Sequence, residues 1–285
     1  EISTWSFWLL AELAEYVKRT GDIEFIREHK ARIDAFIEGA LTLRGDSGLL
    51  ENIPIVFIDW SFANRRTHVQ PISVPANALF AFALREYGKM SGERRITELA
   101  DEISSVLKSA VMSCCSEPGR IPDSMRFENG IFFDNGEYSE AAHFTTLWSE
   151  LFDCNVGNDK RDQVNAVKLN VIDKMGPAPK FKSNPNIGKS GLFIGECIRL
   201  DMLSKFGRAD TVFDELKAIY YPQLREGPGT LWENEVIETS SRCHGFTSHA
   251  GFQLTRDILG LTPPNEADKT IVIAPNPMNL RWARG

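Results

Sequence analysis

Apolar stripes at helical spacing occur in pairs along this chain, each pair joined by a tight glycine-polar turn, and that leaves little choice but a stack of helical hairpins. Residues 5–20 place Trp5, Trp8, Leu9, Leu13, Tyr16 and Val17 at helical spacing, with Lys18 and Arg19 in the last turn and Gly21 as the stop. Asp22 caps the next stripe, Ile26, Ile33, Phe36, Ile37, Ala40 and Leu41, which ends at Gly45-Asp46-Ser47-Gly48. Helices joined so briefly must be antiparallel neighbours. The device repeats. Ala76 to Tyr87 stops at Ser91-Gly92 and Ile96 to Val111 follows. Ser139 caps a helix through Phe152, and Gly157-Asn158-Asp159 turns into Val164, Val167, Val171 and Ile172. Leu192 to Leu203 stops at Gly207 and pairs with Val212 to Tyr220, and Phe246 to Leu259 forms the last helix, closed by Gly260 and Pro263-Pro264.

This amounts to about nine helices in an all-α chain, hairpins alternating with long irregular connections. The connections 45–75, 116–138, 176–188 and 223–244 each follow the second helix of a pair, so a closed ring would bring them out on one rim. Met125 to Phe133 reads as a small β-hairpin around Asn129-Gly130, decorating that rim. Lys269 to Ala274 reads as a strand without a partner, the expected first piece of a β-domain. The expected division is therefore 1–264, a helical domain, and 265–285, the start of a β-domain.

Composition narrows the function. Hydrophobic content of 42% suits a globular core, and a net charge of -7 with scattered Lys and Arg excludes a nucleic-acid face or an anionic-membrane surface. No apolar run approaches the roughly 20 residues of a membrane span. The five cysteines are odd in number, two are adjacent, and none has Cys-x-x-Cys spacing, so neither a disulfide framework nor a zinc site is expected. No phosphate-binding glycine loop, serine nucleophile elbow or His-Glu-x-x-His helix is present. No cofactor and no metal is expected. Trp5, Trp8 and Trp148 lie on apolar helical stripes and are expected in the core.

The chemistry gathers at Gly227-Pro-Gly-Thr-Leu-Trp-Glu-Asn-Glu235 and Ser241-Arg-Cys-His-Gly-Phe-Thr-Ser-His249. An acid beside a large aromatic, faced by a histidine and hydroxyls, suits a polar ring whose apolar face rests on indole and whose edges need charged or amide partners. Glu233 is either a base or a solvated loop acid, with Glu235 and Glu238 as competitors in the same loop. Trp232 packs behind it or meets substrate. His244 donates to a sugar hydroxyl or caps the helix that follows, and His249 is read as structural. Trp60 is a ring platform or a loop anchor. Asp59 is a hydroxyl ligand or caps the Ser61 turn. Glu137, Glu140 and His143 surround a helix start, where capping accounts for the acids.

Taken together, Thr230-Leu-Trp-Glu233, Ser241-Arg-Cys-His244-Gly-Phe, Leu259-Gly-Leu-Thr-Pro263 and Phe57-Ile-Asp-Trp60 resemble the bacterial α-L-rhamnosidases of glycoside hydrolase family 78. Ile273-Ala-Pro-Asn-Pro and Leu280-Arg-Trp-Ala-Arg-Gly285 resemble the start of that family's C-terminal β-sandwich. The resemblance implies an (α/α)6 six-hairpin barrel and inverting hydrolysis of terminal α-L-rhamnosides. It implies Glu233 as the general base and Trp60 and His244 as sugar contacts, with Asp59 and Trp232 nearby. It implies a carbohydrate substrate and further β-sandwich domains in the same polypeptide. The family's general acid lies in an Arg-Asp-rich motif upstream of where this sequence starts, so the expectation is a domain without its first helices and without its acid. Two other readings stand beside it: another α/α-barrel enzyme acting on a glucoside or uronide, and a catalytically silent carbohydrate-binding module.

Overall fold

The helical stripes become two layers in the computed structural model, which describes residues 2–115, 120–152, 172, 175, 187–192, 194–234, 240–266, 268–276, 278 and 280–285. Helix α1 (Ser3–Thr20) stops at Gly21, whose left-handed φ of 72° lets its N–H reach the Val17 carbonyl. Asp22 Oδ1 then accepts the Phe25 N–H at 3.2 Å, so the anticipated cap opens α2 (Glu24–Leu41). A short turn, α3 (Arg66–Val69), and strand β1 (Ile72–Ser73) lead into α4 (Val74–Ser91), and Gly92 hands the chain to α5 (Arg94–Cys114).

Burial separates the layers. In α4 almost every face is covered, with Leu79, Phe80, Leu84 and Tyr87 buried alongside Asn77 and Arg85. Its neighbour α5 buries one stripe, Ile96, Ala100, Ile103, Leu107, Ala110 and Val111. A helix apolar all round belongs inside, and a striped one outside. Helices α6 (Glu140–Trp148) and α7 (Ile194–Lys205) repeat the inner pattern, while α8 (Ala209–Glu226) is striped. The inner helices lie side by side: α1 against α4, α4 against α6, α6 against α7, and α7 against α9 (His249–Gln253).

The connections between pairs are stitched to one another. Strand β1 pairs antiparallel with β2 (Ser124–Glu128), Ile72 opposite Met125, and β2 pairs with β3 (Ile131–Asp134) around Asn129 and Gly130, both at positive φ. The Asn-Gly hairpin is as expected; the third strand is an addition. Gly188 donates to the Tyr138 carbonyl at 2.9 Å, and Gly191 donates to Asp59 Oδ2 at 2.5 Å. Three of the long connections thus meet at one rim.

Several expectations need correction. The helix capped by Ser139, whose Oγ accepts the Ala142 N–H at 3.1 Å, ends at Trp148 rather than Phe152, and Glu150 then takes a left-handed φ of 60°. The run 246–259 divides into a 3-10 turn (Gly245–Ser248), α9 and a wide π turn (Leu254–Ile258). The strand read at 269–274 has a partner: Asn265 and Thr270 exchange two backbone hydrogen bonds, and Ala274 donates to the Gly260 carbonyl at 2.8 Å. The turn at 157–159, the stripe Val164 to Val171 and Cys154 lie outside the described residues, while Ile172 is buried. Among the described residues no helix is long and apolar enough to cross a membrane.

Candidate active site

Glu233 and His244 are held together by a short backbone ladder. Glu233 N–H donates to the Ser241 carbonyl at 2.9 Å, Ser241 N–H returns to Glu233 Oε2 at 3.1 Å, and His244 N–H donates to the Leu231 carbonyl at 3.1 Å. Thr230 Oγ1 donates to the Arg242 carbonyl beside them. The Glu233 and His244 side chains are half-buried on facing arms of one loop. Leu231 fastens that loop to the core. Glu235 and Glu238 lie outside the described residues.

His244 caps the turn that follows it. Its Nδ1 accepts the Phe246 N–H at 3.3 Å, and its carbonyl accepts from Thr247 Oγ1 at 2.7 Å. An accepting Nδ1 puts the proton of a neutral ring on Nε2, the tautomer that can donate to a hydroxyl. The capping and donating roles are therefore compatible. Trp232 turns back onto α8: its backbone N–H donates to Gln223 Oε1 at 2.9 Å, and a Cβ on Gly227 would lie 2.9 Å from its ring.

Asp59 and Trp60 belong to a second cluster on the rim. The Asp59 carboxyl is wholly buried, accepting from the Gly191, Gly195 and Ile194 amides at 2.5, 3.1 and 3.3 Å. Burial pushes its pKa up and these amides oppose the shift. Both oxygens are engaged at the N-terminal end of α7, and the carboxyl also bonds Ser61, as the turn-capping alternative for Asp59 has it. Trp60, the next residue, is 53% exposed, and its ring stands edge-on to Phe57 at 5.2 Å and 83°. Phe57 in turn meets Trp5 edge-on at 6.1 Å. Close by, buried Glu140 receives the Ser190 N–H at 3.1 Å, tying α6 to the same turn. His143 is fully buried between the Ser139 carbonyl and the Ile121 N–H, and burial lowers its pKa. Both side chains are structural here.

Trp5, Trp8 and Trp148 wall a cleft of about 520 Å³ with Ile194, Ile198 and Phe246; Trp8 and Trp148 also pack against the core as expected, and Trp5 does not. Trp5 is half exposed, the Trp8 and Trp148 rings meet at 4.9 Å with a 48° tilt, and Trp148 Nε1 donates to Asp201 Oδ2 at 2.7 Å. The available signal was that α1 carries apolar bulk on more than one face, Phe7 and Leu10 as well as Trp5, Trp8 and Leu9. His249 lines the cleft and meets Tyr220 Oη at 3.0 Å. Among the described residues no group of three or more His, Cys, Asp or Glu could hold a metal ion.

Comparison with solved structures places this fold. A GH78 family rhamnosidase of Bacillus sp. GL1 matches 98% of the chain with a TM-score of 0.77 at 20% identity. A rhamnosidase from Klebsiella oxytoca, solved with rhamnose bound, matches 90% with a TM-score of 0.66 at 17% identity. The fold is therefore that of the GH78 rhamnosidases, an α/α-barrel architecture. The chain spans 28% and 47% of those two proteins' lengths. No family profile matches the sequence, and no curated protein matches it.

Proposed function

We propose that this chain is part of a glycoside hydrolase that removes terminal α-L-rhamnose with inversion, Glu233 serving as general base. The observation that carries the reading is the Glu233–His244 loop, a carboxyl and an Nε2–H donor fixed on facing arms, set in a rhamnosidase-like fold. Inverting hydrolysis needs two carboxyl groups roughly 6.5–9.5 Å apart, one to protonate the leaving oxygen and one to deprotonate water. Glu233 takes the second role. The first falls to an acid outside these 285 residues, as the family resemblance implies. His244 donates to a ring hydroxyl, Trp60 supplies the apolar wall, and Trp232 backs the Glu233 arm.

The test is turnover of an aryl α-L-rhamnoside by the enzyme with its acid in place. Glu233→Gln should lower kcat by about 10²–10⁴-fold while L-rhamnose still binds. Unchanged turnover removes Glu233 as the base. Turnover of an aryl glucoside in place of the rhamnoside overturns the sugar assignment.

A further inference from the structure

Trp60 is exposed on a rim loop, yet the residue before it is one of the most deeply held in the molecule. Asp59 is 0% exposed, and its carboxyl reaches across 132–136 residues of sequence to the Gly191, Ile194 and Gly195 amides. Its backbone is gripped as well: its carbonyl accepts from Ser61 N at 2.7 Å and from the Asn64 side-chain amide. On the other side of the contact, glycine is required. A Cβ on Gly191 would lie 2.8 Å from the Trp60 carbonyl oxygen, and one on Gly195 would lie 3.0 Å from Asp59 Oδ2 and 2.6 Å from Ser190 Cβ. Ser190 is itself held by buried Glu140 on α6. The backbone at residue 60 is therefore clamped between a carboxyl below it and a glycine beside it, while its indole projects outward over Phe57.

We infer that Asp59 and Gly191 are positioning residues that set the stance of the Trp60 indole, and so govern sugar affinity through Trp60 without touching the sugar. The inference rests on the reading of Trp60 as the ring platform. An aromatic platform works only at van der Waals distance and the right tilt, so a small shift in the Trp60 backbone forfeits most of its contribution. Asp59 has the leverage for this because a carboxylate on three amides is a strong, directional hold. Gly191 has it because a methyl group there meets backbone, which cannot swing aside.

Two readouts separate this inference from the rhamnosidase reading. The first is the indole N–H spectrum of the 15N-labelled chain, with the Trp60 resonance assigned by its loss in Trp60→Phe. Asp59→Asn and Gly191→Ala should each move that resonance and leave the Trp8 and Trp148 resonances in place. A Trp60 resonance that stays put in a folded variant overturns the inference. Gly191→Ala covers the case in which Asp59→Asn does not fold. The second readout is L-rhamnose affinity. Each variant should weaken it by about tenfold, the contribution of one aromatic contact. In a Trp60→Ala background the same substitutions should add nothing, because the affected ring is already gone. Additive losses in that background would show that Asp59 acts by another route and overturn the inference. If the unaltered chain binds no rhamnose, the rhamnosidase reading fails, while the indole spectrum still decides what sets Trp60.

Discussion

His68 meets a carboxyl at each ring nitrogen: Nδ1 lies 2.7 Å from Asp123 Oδ2, and Nε2 lies 3.2 Å from Glu137 Oε2. A carboxyl facing each ring nitrogen favours the doubly protonated ring. The Asp123 hydrogen bond raises the His68 pKa, burial opposes it, and the charges of Asp123 and Glu137 outweigh that of Arg65. The folded value is thus above the unfolded one of about 6.5. Stability from this bridge is complete below that unfolded value and is lost as pH rises through the folded one. Thermal melts in a pH series should show the midpoint falling on the alkaline side of about pH 6.5. His68→Gln should remove that component and lower stability at pH 6 by about 1–3 kcal/mol, since buried Asp123 loses its charged donor. An identical pH profile in the variant would refute the bridge. The same residue scale shows where sequence reading stopped. Glu233, His244 and Trp60 announce themselves by chemistry and local motif. The partners of Asp59 and His68 lie more than fifty residues away, and no local pattern signals which buried carboxyl will meet which amide or imidazole.

Glycines inside helices show what the element scale adds. Gly88 faces α5: a Cβ there would lie 2.6 Å from Thr97 Oγ1 and 2.9 Å from the Thr97 backbone nitrogen. Its carbonyl also accepts the Glu93 N–H at 3.0 Å, closing the turn between the helices. Gly39, in α2, has nothing within 4 Å of the same position. Alanine gains up to about 1 kcal/mol over glycine in a helix interior. Gly39→Ala should therefore stabilise by about 0.5–1 kcal/mol. Gly88→Ala must force two helices apart and should destabilise by about 1–3 kcal/mol despite the same gain. Urea midpoints of the two variants moving in the same direction would contradict the α4–α5 contact. The hairpins themselves were legible because helical period and glycine stops are local, and Gly21 and Gly92 end their helices as anticipated. The early end of α6 was not legible, because Glu150 takes its left-handed turn where no glycine or proline interrupts the helical spacing from Leu147 to Phe152. The π turn at Leu254–Ile258 likewise leaves no mark on spacing that reads as plain helix.

At the scale of the whole molecule, the seam between inner and outer layers buries charge as well as hydrocarbon. Arg199 on α7 and Glu215 on α8 are both fully buried, with guanidinium-to-carboxyl distances of 2.8–3.2 Å, and Arg199 lies over the Phe144 ring of α6. Glu196, one turn before Arg199, is equally buried, and its two oxygens find no donor among the described residues. Two acids sharing one guanidinium in a dry seam cannot both ionise cheaply, so the Glu196–Glu215 pair favours holding a proton. Burial raises the Glu196 pKa well above the usual carboxyl range, and the Glu215 charge pushes the same way against the pull of Arg199. In the unfolded chain Glu196 loses this proton at about pH 4.3. Between that pH and the higher folded value the native state holds one proton more, so stability falls as pH rises across the interval. Glutamine keeps the shape and a donor toward Glu215 but has no proton to take up. Glu196→Gln should therefore raise the thermal midpoint at pH 8 by several degrees, with the gain shrinking towards pH 4.5 as the unfolded acid also becomes protonated. A gain that is the same at both pH values would place no proton on Glu196. A loss at pH 8 would mean that the seam is built around a glutamate anion, with its second cation still to be found.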